Sequence, residues 1–81
     1  MDSLDLKPDL LHTTPLGVER INRNLSLIEE DIVQWCREVV AVRLLDGSNI
    51  ERRGKNWYVD CGKFIMTINA HSHTIITAHM K

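Results

Sequence analysis

An 81-residue chain has room for one domain with one modest core. Its hydrophobic content of 43%, charged content of 26% and net charge of −1 are those of an ordinary globular domain, so no global field favours nucleic acid or membrane. No apolar run approaches the roughly 18 residues of a membrane span, the start MDSLDLKPDLL is acidic and lacks the apolar stretch of a secretion signal, and cytoplasm is the expected compartment.

Residues 1–13 are expected to form an arm, in which Pro8 breaks any helix and Leu10 and Leu11 are available to dock on the core. Residues 14–81 are expected to form a single domain. Thr14-Pro15 starts a helix, because the residue before proline is pushed to extended geometry and proline suits the first helical position. This helix is expected over about Pro15 to Leu25. Val18, Ile21 and Leu25 share one side of it, with Arg20, Arg23 and Asn24 opposite. Two guanidiniums one turn apart are suited to clamping a phosphate.

Ser26-Leu27-Ile28-Glu29 fits a capping box for a second helix, expected over about Leu27 to Val40. Its apolar stripe is Ile28, Ile32, Trp35, Cys36 and Val39, with Val33 and Val40 at its edge. Helices joined so tightly are expected to pack as a hairpin. Cys36 on this buried face and Cys61 in a turn make no metal or redox motif, so a reduced pair is expected.

After a turn at Asp46-Gly47-Ser48-Asn49, short strands are expected at about 49–52, 56–60, 63–69 and 73–79. If Cys61-Gly62 is a two-residue hairpin turn, Val59 opposes Phe64 and Trp57 opposes Met66. Alternation then puts Trp57, Val59, Phe64, Met66, Ile68 and Ile75 on one apolar face for the second helix to cover. The other face carries Asn56, Tyr58, Asp60, Lys63, Ile65, Thr67, Asn69, Thr74 and Ile76, and is the surface expected to present a ligand. The predicted fold class is α+β: two N-terminal helices packed on one face of a three- to four-stranded antiparallel β-meander.

Charge is unevenly spread. Residues 1–40 carry −4 and residues 41–81 carry +3, so the basic excess lies on the meander with three of the four histidines. His71 and His73 would sit about 6.6 Å apart on a strand, with His79 about 20 Å further along, so three of them cannot share a metal ion and no metal or cofactor is expected. A metal-free endoribonuclease needs a base, an acid and a cation for the phosphate. The residues suited to those roles are His12, His79 and Lys55, with Arg20, Arg23, Asn69 and Thr74 as ligand contacts. Tyr58 is the best candidate for stacking on a base. No phosphate loop, dinucleotide fingerprint, nucleophile elbow or zinc spacing occurs.

The segments LHTTPLGVERINRNL (11–25), GKNWYV (54–59) and INAHSHTIITAH (68–79) resemble, in that order, the bacterial domain of unknown function 3781 family. That resemblance implies no activity. The ending TIITAH (74–79) is also similar to the last strand of small ribonuclease toxins of the barnase and colicin D type, in which N-terminal helices pack on a four-stranded sheet. By that resemblance Thr74, Thr77 and His79 would lie near an active face, with Arg20, Lys55 and His12 as further candidates; the alternating register, however, puts Thr74 and Thr77 on opposite faces. Two functional expectations stand: an RNA-binding or RNA-cleaving module, and a non-catalytic protein-interaction domain using the exposed sheet face or an edge strand, as a monomer or homodimer.

Overall fold

The structure is a computed structural model that describes residues 6–27, 31–45 and 49–81. Helix α1 spans Pro15–Leu25 and helix α2 spans Ile32–Leu44. Strands β1 (Ile50–Arg53), β2 (Asn56–Asp60), β3 (Phe64–Asn69) and β4 (Ile75–Met80) follow, paired antiparallel in the order β1-β2-β3-β4. The expected α+β fold, helices first and meander second, is the observed one.

From Leu6 onward the segment expected to be an arm is built into the domain. Leu6 and Leu11 are buried, a 3-10 turn over Pro8–Leu10 lies between them, and Arg37 on α2 donates Nε–H to Leu11 O at 3.1 Å. Leu10, by contrast, is exposed. The His12 amide donates to His73 O and the Ile75 amide to His12 O, so this segment adds a parallel bridge at the start of β4.

Helix α1 starts as expected. Thr14 is extended, its hydroxyl accepts from the Gly17 amide at 3.0 Å, and Pro15 opens the first turn. Its end differs from expectation, because Ser26 does not cap the second helix. It closes the first one in the left-handed region at φ 56°, donating its amide to Arg23 O and Asn22 O. Glu29, the other half of the expected capping box, lies outside the described residues.

Helix α2 is capped instead by Asp31, whose carboxylate accepts from the Gln34 amide at 3.0 Å. It runs on past Val40 through Ala41-Val42-Arg43-Leu44. Its deepest line is Ile32, Cys36 and Val40, one residue per turn, with Trp35 and Val39 only half-buried beside it. The stripe is therefore rotated from the expected one, for which Ile28 again lies outside the described residues. The two helices touch, while α1 packs mainly along β4.

The β2–β3 register corrects the expected turn. Val59 pairs with Met66 and Trp57 with Ile68, leaving four residues between Asp60 and Ile65 rather than two, with Gly62 at φ 89° and the Cys61 amide bonded to Phe64 O. The shift is by two positions, and side chains alternate with period two, so every face assignment on β2 and β3 survives. Trp57, Val59, Met66, Ile68 and Ile75 are buried under the helices. Phe64 is half-buried, stacking on Trp35 with ring centroids 5.7 Å apart.

On β4 the pairs Thr67–Thr77 and Ile68–Ile75 leave Ile76 as an extra, bulged residue. The bulge changes the parity. Ile75 and Ala78 both point to the core, and Thr74, Thr77 and His79 share the opposite face. The expectation that Thr74 and Thr77 lie on opposite faces assumed an unbroken strand and is overturned.

Candidate functional site

The face turned away from the helices is organised in rows across the strands. Arg53, Asn56 and Asn69 form one row, and Glu51, Tyr58, Thr67 and Thr77 the next. Ile65 and His79 pair near the far end beside Asp60. Gly54-Lys55, with Gly54 at φ 59°, makes a two-residue turn that brings Arg53 back diagonally onto Tyr58. The Arg53 guanidinium lies 4.4 Å above the Tyr58 ring centroid, and its Nε pairs with Glu51 at 3.3 Å. Both charged groups remain mostly exposed, so the ion pair itself contributes little.

Helix α1 borders this face on the β4 side. Asn24 donates its amide to Ala78 O at 3.2 Å and reaches Thr77 Oγ1 at 3.5 Å. Arg20 lies one turn before Asn24 on the same side of the helix. Arg20 and Arg23 are both exposed. Lys55 is exposed at the opposite border, in the β1–β2 turn.

Four of the residues singled out from sequence gather at one end of the sheet. His12 Nδ1 donates to Leu10 O at 2.9 Å, and its Nε2 shares a hydrogen bond with the Thr74 hydroxyl at 3.1 Å. Thr74 Oγ1 is 2.7 Å from Ser72 Oγ. Asn69 Oδ1 accepts from the amides of His71 and Ser72 at 2.9 and 3.0 Å. The Ala70 amide, in turn, donates to Lys55 O at 2.7 Å, joining the two hairpin ends. His73 takes φ 60°, packs edge-on to Trp57 at 5.1 Å and accepts the Lys7 amide at 3.2 Å. These side chains close the turn and pin the N-terminal segment to it.

His79 is not among them. It lies on the same face five residues beyond Thr74, about 17 Å along an extended strand. His12 and His79 therefore cannot act on one phosphodiester as base and acid, since both must reach the same reacting group. Among the described residues, no group of three or more His, Cys, Asp or Glu side chains is placed to hold a metal ion. The sequence alone gives Asn24 no role in the site and offers Arg53 only as an alternative to Lys55 for holding a phosphate. The i, i+4 spacing of Arg20 and Asn24 and the two-residue Gly54-Lys55 turn are the signals that place them.

Among the described residues three groups have perturbed protonation. The Asp60 carboxyl is held below its ordinary range by the bond from Lys81 Nζ at 2.8 Å and then by the Gly62 amide. Burial pushes the Cys36 thiol up to about 12 and the Cys61 thiol up to about 11, and both cysteines are free.

Among the described residues no helix is long and apolar enough to cross a membrane. No curated protein and no solved structure matches the chain, and the expected likeness to barnase- and colicin D-type toxins gains no support. One family model, described as a protein of unknown function (DUF3781), matches residues 6–79. It takes in the docked N-terminal segment from Leu6, both helices and nearly all of the sheet, and the chain belongs to that family.

Proposed function

We propose that this domain binds single-stranded RNA across the helix-free face of its sheet and does not cleave it. The observation that carries this reading is Tyr58, central on that face, with the Arg53 guanidinium over its ring. Aromatic rings and guanidinium planes both stack on unpaired bases. Asn56, Asn69 and Thr77 offer amides and hydroxyls for base edges, while Arg20, Arg23 and Lys55 stand at the borders for the phosphates. Cleavage has less support. His12 is engaged by Leu10 and Thr74, and His79 lies at the other end of the face.

The test is fluorescence polarisation of a labelled single-stranded RNA of mixed sequence, with the RNA examined for integrity on a gel in EDTA. Saturable binding with intact RNA is expected. Tyr58→Ala should weaken it by about 1–3 kcal/mol, the value of one stacked base. Arg20→Ala with Arg23→Ala should lower the salt dependence by about one to two phosphate contacts. Absence of binding at low salt, or binding indifferent to Tyr58, refutes the proposal. RNA shortened in EDTA refutes its non-catalytic part, and self-association without RNA binding favours the protein-interaction reading.

A further inference from the structure

On the helix side, at the end of the sheet that carries the β2–β3 turn, a cleft of about 470 Å³ opens between the end of α1, helix α2 and that turn. This is within the roughly 300–1,000 Å³ range of small-molecule sites. Its walls are Leu25, Leu27, Trp35, Phe64 and Met80, with Trp35 and Phe64 stacked on each other and Met80 half-exposed at 51%. Two cations also line it, Arg43 and Lys63. Arg43 spends one Nη2–H on Cys61 O at 3.0 Å and keeps further donors; Lys63 is exposed. Asp60, three residues before Lys63, is already paired with Lys81 and the Gly62 amide. An apolar cleft with two cations and no carboxylate among its described lining residues matches one chemistry: an apolar tail ending in an anion.

We propose that this cleft binds a single-chain amphiphile with a carboxylate head, its tail along Trp35 and Phe64 and its head between Arg43 and Lys63. The site is independent of the RNA reading, because it lies on the other side of the sheet from Tyr58. Trp35 on its wall provides the signal, as Trp57 is buried on the core face of β2.

The experiment titrates the intact chain with decanoate, decanol and decyltrimethylammonium, each below its micelle concentration, reading tryptophan emission and calorimetric heat. Decanoate should give a saturable change and bind about tenfold more tightly than the cationic analogue, as a charge-assisted contact implies. Lys63→Glu, at an exposed position that leaves the core untouched, should weaken decanoate by a similar factor. Tyr58→Ala should leave it unchanged. No saturable response, equal binding of the three amphiphiles, or wild-type decanoate binding by Lys63→Glu each overturns the proposal.

Discussion

The two tryptophans should respond very differently to truncation. Trp57 is 1% exposed, with the Arg52 guanidinium over its ring at 5.7 Å and His73 packed against it at 5.1 Å. Trp57→Ala removes a fully buried indole and leaves a cavity that the rigid sheet cannot close, at a cost of about 3–5 kcal/mol. A domain of 81 residues has only about 4–12 kcal/mol in total, so this variant stands near the limit of folding. Trp35 belongs to the cleft instead. It is half-buried, its main partner is Phe64 at 5.7 Å, and its outer surface is wet. The stack is worth about 0.5–1.5 kcal/mol and the part-buried area adds a similar amount, so Trp35→Ala should cost about 1–3 kcal/mol. Urea unfolding followed by far-ultraviolet circular dichroism avoids the lost fluorescence. At an m value of about 1–2 kcal/mol/M, Trp57→Ala should lower the midpoint by roughly 2–4 M and Trp35→Ala by about 1 M. Equal shifts would refute the division between a core tryptophan and a cleft tryptophan.

Two other perturbations follow from the packing. Gly17→Ala would normally stabilise a helix by about 1 kcal/mol. Here the added methyl runs into Thr13 Oγ1, which is committed to Ile75 O at 2.9 Å, so the melting temperature should fall; a rise would show that the contact yields. The buried thiols predict an alkaline limit. Their folded pKa values lie above the ordinary value of 9.0, so their contribution is complete below that pH and is lost as pH rises toward 11 and 12. The loss approaches about 1.4 kcal/mol per pH unit for each thiol. The Cys36→Ala, Cys61→Ala double variant should show a flatter decline in denaturant midpoint above pH 9, and an unchanged slope would contradict the assignment.

The sheet was legible because its period is short and its errors came in twos. A two-residue Cys61-Gly62 turn differs from the observed register by two residues, which leaves Trp57, Val59, Met66 and Ile68 facing the same way. The bulge at Ile76 is different. A single extra residue reverses parity, and nothing in the run Thr74-Ile75-Ile76-Thr77 marks which residue is the extra one, since two isoleucines suit either face. The helix boundary failed for a chemical reason: Ser26 and Asp31 are both competent caps, and the choice depended on α1 ending in a left-handed residue at Ser26. The roles of His12 and Thr74 were hidden because their bond joins residues 62 apart in the chain, across a parallel bridge that no local pattern announces. The cleft was hidden for the same reason, being assembled from α1, α2, the β2–β3 turn and β4.

The face of the sheet that α1 and α2 leave free is the centre of this account. Backbone amide shifts in an NMR titration with single-stranded RNA report on it residue by residue. Perturbations are expected at Tyr58, Thr67, Asn69 and Thr77, with the amides of α2 from Ile32 to Val40 undisturbed. Shifts confined to α2, or none at all at saturating RNA, would contradict it.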